Sequence, residues 1–300
     1  MMRAPSKIIL FLLMIALTSQ FVGGQSRNNS KGISSIEGSV VSVTARRVSG
    51  NEPVTLQEIF LYENSVEQRI RNFAFDTSPS RIVLLVDNSQ GLRAELDALK
   101  AGVLEFSYEI YEGDQMFVVA FDEKAEIVQE WTDEADKVLK STKSFRKQGN
   151  PHLFDALSAA SRQILLPLMP GLRKTAIVMI TDGLDRGSDI SYQNIIRELQ
   201  ASDITVYALQ LPDRTNGAFR RNQPKAPRVL KEITEATGGA VYQFSEARSA
   251  AKAICDELKN NRYLLSYFPT SQASSEDRNI FAIGKEGITV RTKSMHPGLR

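Results

Sequence analysis

From Arg81 onward, short apolar runs alternate with longer stretches of helical spacing. The runs IVLLV (82–86), MFVVA (116–120), AIVMI (176–180), ITVYAL (204–209) and AVYQF (240–244) are mostly apolar at successive positions. Strands of that kind are covered on both faces and lie inside a sheet. Between them, Leu92, Leu96, Leu99, Val103, Phe106 and Ile110 recur at steps of four and three, and Leu153, Ala156, Leu157, Ala160 and Ile164 share that rhythm. Such spacing builds one apolar helical face. Strand and helix in alternation predict an α/β fold, a doubly wound and mostly parallel sheet with helices on both faces, because parallel strands need right-handed crossovers. AEIVQEW (125–131) follows MFVVAF after a short turn and is expected to pair with it as an antiparallel edge strand. A last helix is expected over about 247–260.

The text on either side of this series has period-two character. Residues 38–76 contain SVVSVTAR and LQEIFLYENSVEQRIRNFAF, broken by Gly-Asn and Glu-Asn, and predict a β-rich N-terminal segment. RYLLSYF (262–268) and GITVRTK (287–293) flank a polar stretch and predict a β-rich C-terminal segment over 263–300. Residues 1–24 carry Arg3 and Lys7, then IILFLLMIAL, then small residues ending in Gly23-Gly24, the order of a cleaved signal peptide. The apolar stretch is short of the roughly 20 residues of a membrane span. Export to the periplasm or the exterior is therefore expected, with no transmembrane segment after cleavage, and 25–37 reads as a flexible leader.

Composition narrows the picture only a little. The 300 residues are 42% hydrophobic and 24% charged, with a net charge of +2, so a nucleic-acid binder is not implied by the total. Cys255 is the single cysteine, so no intramolecular disulfide is available and core packing must supply the stability.

Ligands of open parallel sheets gather beyond the carboxyl ends of the strands. Asp87 with Ser89 in VDNSQG, Asp122 and Asp182 in ITDGLD fall there, as does Gln210. Asp122 sits in a tight hairpin, where holding its own turn is the expected role. Asp87, Ser89 and Asp182 admit a weak metal site or a structural role: Asp87 and Ser89 as caps for a helix starting near Gly91, and Asp182 as a cap for one starting near Asp189 or as the shaper of its own turn.

A strand ending in Asp-x-Ser and a later one ending in Thr-Asp-Gly resemble the von Willebrand factor type A domain, over about residues 80–262. The flanks resemble those of a subgroup of exported bacterial proteins found notably in acidobacteria. The resemblance implies a Rossmann-like domain and a metal-ion-dependent adhesion site, in which Asp-x-Ser-x-Ser, a Thr and an Asp hold Mg²⁺ or Mn²⁺ for a partner's carboxylate. Asp87, Ser89 and Asp182 match that set. Gly91 replaces the second Ser and Pro151 stands at the Thr position. The implied site is degenerate, and Mg²⁺ or Mn²⁺ is expected to be weakly held or absent.

A serine or metal-assisted hydrolase is a competing reading, since Ser89-Gln90-Gly91 partly matches a nucleophile elbow. Its first Gly is replaced by Asp87, and neither His152 nor His296 has the expected context. A structural scaffold subunit of an envelope assembly is a further alternative. The preferred expectation is a non-enzymatic binding or adhesion module for a protein or other anionic partner. On a type A fold, as the resemblance implies, the basic loops at 141–151 and 211–228 would flank the carboxyl edge, and they nominate Arg146, Lys147, Arg186, Arg220 and Arg221 as partner contacts, with Arg214 among the second loop's cations. Phe145 and Phe219 alone offer stacking surfaces in these loops, so no nucleic-acid partner is expected.

Overall fold

The computed structural model describes residues 38–169, 171, 174–218, 223–270 and 275–298. The expected signal peptide and leader, and Arg220 and Arg221, lie outside the described residues.

Four strands come first: β1 (Ser39–Arg47), β2 (Ile59–Glu63), β3 (Val66–Gln68) and β4 (Ile70–Phe75). The alternating series is β5 (Arg81–Asp87), α1 (Leu96–Glu109), β6 (Gln115–Phe121), β7 (Ala125–Thr132), α2 (Ala135–Ser141), α3 (Leu153–Ala159), β8 (Thr175–Thr181), α4 (Tyr192–Ala201), β9 (Thr205–Gln210), α5 (Ala226–Thr237), β10 (Val241–Gln243) and α6 (Ala247–Asn260). Then follow β11 (Arg262–Tyr267), β12 (Arg278–Gly284), β13 (Ile288–Thr292) and the two-residue β14 (Met295–His296).

The central sheet has the order β10-β9-β8-β5-β6-β7, with every pairing parallel except β6 to β7. The inner strands β5, β6, β8 and β9 are buried along nearly their whole length because both faces are covered, whereas the edge strand β7 is largely exposed. Ile82, Leu84 and Val86 of β5 face α1 and α6 through Leu99, Val103, Phe106, Ala250, Ile254 and Leu258. Val83 and Leu85 face the other way, toward Leu153, Leu157, Ile195, Leu199, Leu230 and Ile233 of α3, α4 and α5. The α/β architecture expected from the apolar runs is the one observed.

The strands outside the series combine across the ends of the chain. β1 pairs with both β11 and β13, and β11 with β4, while β2 pairs with β12 and β3. The two four-stranded sheets, β13-β1-β11-β4 and β14-β12-β2-β3, enclose Val41, Val43, Leu61, Leu265 and Ile280 as a core of their own. β12 was not anticipated. Its sequence RNIFAIG lies beside polar text, but Ile280 and Ala282 alternate inward against β2 as a half-buried strand should.

Helix boundaries differ at two informative places. The apolar face predicted from Leu92 becomes helical only at Leu96, with Glu95 at the N-cap. The intervening residues turn across the carboxyl edge, with Gly91 at φ +79°, a left-handed conformation that glycine adopts without strain. The next helix starts at Tyr192 and not near Asp189, and Ser191 caps it by accepting from the Asn194 amide. Neither Asp87 nor Asp182 is therefore a helix cap.

Candidate functional site

β5 and β8 are neighbours in register, with Val86 opposite Ile180, so Asp87 and Asp182 emerge side by side at their carboxyl ends. The expected convergence of these two acids with Ser89 is present in the structure. All three side chains are fully buried. Burying two carboxylates in one place requires compensation, and the compensating group comes from elsewhere in the chain.

That group is Arg214, four residues past the end of β9. Its Nε donates to Asp182 Oδ2 at 2.7 Å. Nη2 donates to Asp182 Oδ1 at 3.0 Å and to Asp87 Oδ2 at 2.5 Å. Nη1 donates to Ser89 Oγ at 2.7 Å and to the Gln90 carbonyl at 3.1 Å. The backbone amide of Arg214 adds a bond to Asp182 Oδ2 at 3.0 Å. The side chain is only 9% exposed. A planar guanidinium suits this task because its donors form a fixed fork that spans two carboxylates at once.

The remaining acceptor positions are also filled. Asp87 Oδ1 accepts from the Ser89 amide at 2.9 Å and from the Ser89 hydroxyl, and Oδ2 accepts from Thr181 Oγ1 at 2.7 Å. Asp182 Oδ1 accepts from the Leu184 amide at 3.1 Å. Burial pushes the Asp87 carboxyl above the usual aspartate range, opposed by Arg214, Ser89 and Thr181. The Arg214 guanidinium is held charged by both aspartates, against the effect of its own burial.

The second loop is tied to the first by main-chain bonds. Gln90 N donates to the Gln148 and Gly149 carbonyls, both at 3.1 Å, and Gln148 N donates to the Asn88 carbonyl at 3.0 Å. Pro151 brings no side-chain ligand, and its carbonyl accepts from Arg186 N at 2.7 Å. The Asn150 side-chain amide donates to Glu123 Oε1 at 3.5 Å. Asp122 serves its hairpin, accepting from Lys124 N at 3.1 Å.

A divalent ion of the adhesion-site kind needs about six oxygens with free lone pairs at short distances. The residues present do not fit it. The oxygens of Asp87, Ser89 and Asp182 are committed to Arg214 and to neighbouring donors, and Gly91 and Pro151 supply no side-chain oxygen. Among the described residues no group of three or more His, Cys, Asp or Glu is arranged to hold a metal ion.

A serine-nucleophile arrangement is also absent among the described residues. The Ser89 hydroxyl bonds Asp87 and Arg214. His152 packs against Gly187, and His296 lies on β14, opposite Arg278 of β12.

The nominated partner contacts divide into three groups. Arg146 forms a two-pronged pair with Glu126 at 2.7 and 2.8 Å, and Lys147 Nζ donates to the Leu92 carbonyl at 3.0 Å, so both are engaged within the chain. Arg186 is exposed at the carboxyl edge. Arg220 and Arg221 are outside the described residues. Arg214 was grouped with the loop cations, but its role at the acids was missed. The signal available was physical: two acids predicted to meet, with two of the metal's five side-chain ligands missing, need an internal cation.

Residues 82–184 match the sequence profile of the family described as von Willebrand factor type A domain. No curated protein matches the chain. Among solved structures, an aerotolerance-related membrane protein from Bacteroides fragilis is 19% identical, the alignment covering 60% of this chain and 98% of that one, with a TM-score of 0.46. A von Willebrand factor type A protein from Catenulispora acidiphila is 11% identical, covering 87% of this chain and 74% of that one, with a TM-score of 0.49. Proximal thread matrix protein 1 from the mussel byssus is 17% identical, covering 63% and 49%, with a TM-score of 0.49. The profile match takes in β5 and the Asp-x-Ser turn at one end and Thr181-Asp182-Gly183 at the other. Over residues 82–184 the central α/β domain of this chain is similar to the von Willebrand factor type A domain.

Proposed function

We propose that the chain is an exported, non-enzymatic interaction module that binds a protein or other anionic partner at the carboxyl edge of its central sheet. The family supports the general reading, since type A domains mediate protein interactions. The observation that carries it to this edge is the 211–218 loop, which is laid over the strand tips and fixed there. Arg214 anchors it to β5 and β8, and Arg93 donates to Asn216 Oδ1 at 3.0 Å. Within it, Asp213 holds the Thr215 and Gly217 amides at 2.7 and 2.8 Å. An ordered loop across the tips offers a preformed surface, which lowers the entropic cost of binding. Arg186 and Lys225 stand exposed around that surface and would steer an anionic partner.

Export rests on the basic, apolar, small-residue order of the first 24 residues, and no helix among the described residues is long and apolar enough to cross a membrane. A pull-down from an envelope extract of the source organism tests the reading, repeated at rising salt and with Arg186→Glu. Capture that weakens with salt and with the charge reversal is expected. Capture insensitive to both, or ester hydrolysis lost in Ser89→Ala, would overturn it.

A further inference from the structure

We infer that Arg214 stands in for the divalent cation at this type A edge, so that the notch between Asp87 and Asp182 is a closed ion network independent of metal. The inference rests on the family reading above and concerns the same edge.

The donor and acceptor positions balance. A carboxylate oxygen takes two hydrogen bonds in ordinary geometry, and a guanidinium has five N–H groups. Asp87 Oδ1 takes the Ser89 amide and hydroxyl, and Oδ2 takes Thr181 and Arg214. Asp182 Oδ1 takes Leu184 and Arg214, and Oδ2 takes two bonds from Arg214. The Nε bond to Asp182 and the pairs made by Nη1 and Nη2 use every N–H of the guanidinium. No lone pair on the two acids is left for a metal.

The consequence for binding is specific. A bound metal would present an open coordination position to an incoming carboxylate. A guanidinium with every N–H spent presents none, so a partner reads the surface of the 211–218 loop and its rim, and the buried acids serve to hold that loop down. A free ion entering the notch would have to expel a side chain tethered to the same chain, whose backbone amide is also bound to Asp182.

Titrating Mn²⁺ alone into the full chain, followed by the electron paramagnetic resonance signal of the free ion and by thermal denaturation, tests this. The wild-type chain should leave the free-ion signal intact up to millimolar Mn²⁺, with the same midpoint in Mn²⁺ and in chelator. Arg214→Ser should gain Mn²⁺ binding at least tenfold tighter than wild type, with a midpoint that rises on Mn²⁺ addition. Arg214→Lys, which keeps the charge without the fork, should fall between them and serves if the serine variant does not fold. Micromolar binding by the wild type would overturn the inference, as would folded Arg214 variants that respond to Mn²⁺ no more than wild type. Salt-sensitive partner capture in chelator is read separately, so the binding-module reading can stand or fall without this one.

Discussion

Replacing Arg214 by Met removes the guanidinium while keeping much of its length and apolar stem. Two carboxylates with no solvent exposure are then left facing each other without a counter-charge. Removing one member of a buried ion pair costs about 3–5 kcal/mol, chiefly the penalty of the stranded charge. Proton uptake limits the loss, because a carboxyl displaced by one pKa unit costs about 1.4 kcal/mol and one of the two acids can become neutral. A loss of about 4 kcal/mol is expected near neutral pH, a large part of the roughly 5–15 kcal/mol that holds a domain together. Urea unfolding followed by circular dichroism measures it, as a lower midpoint at unchanged slope. In a background with Asp87→Asn and Asp182→Asn the same substitution should cost far less, giving a coupling energy of at least about 2 kcal/mol. A loss under about 1 kcal/mol, or additive costs, would refute the claim that the three residues act as one network.

Three further outcomes follow from other parts of the structure. Gly183, next to Asp182, has φ +86° and a Cβ there would lie 2.3 Å from the Ala226 carbonyl oxygen, so Gly183→Ala should lower stability by about 3 kcal/mol in thermal denaturation. Glu257 of α6 accepts from Tyr207 Oη of β9 at 2.6 Å and pairs with Arg291 of β13, joining the central sheet to the β-sheet core. Glu257→Gln should cost about 2 kcal/mol in urea unfolding, below the full buried-pair value because Arg291 is 30% exposed. Burial, with Lys293 and Arg278 nearby, lowers His296 from 6.5 to about 4, so folding favours the neutral ring. That contribution is complete above pH 6.5 and is lost as pH falls through about 4, so His296→Gln should flatten the fall in stability across this window.

The central sheet was legible because apolar runs buried on both faces, separated by helical spacing, leave few alternative arrangements. The positions of Asp87, Ser89 and Asp182 followed from the rule that strand tips converge, and β5 and β8 do lie side by side. The helix starts were less legible. Apolar periodicity began at Leu92, which is buried in the loop ahead of α1, and an apolar residue that staples a loop has the same pattern as the first turn of a helix. β12 was lost because its two inward residues, Ile280 and Ala282, sit next to a polar stretch. Arg214 was the consequential omission. A cation in a long loop reads as solvated charge when only sequence distance is visible. The loop folds back from β9, across β8, to reach β5, and that path is a tertiary fact. The union of β1 to β4 with β11 to β14 depends likewise on pairings between residues some two hundred positions apart, such as Val41 with Leu265.

The most direct test is a crystal grown in millimolar Mn²⁺, with an anomalous difference map calculated around Asp87 and Asp182. No anomalous peak is expected between the two carboxylates, and the guanidinium of Arg214 should fill that place, bonded to both acids and to Ser89. A peak coordinated by Asp87 and Asp182, with Arg214 turned out toward solvent, would contradict it.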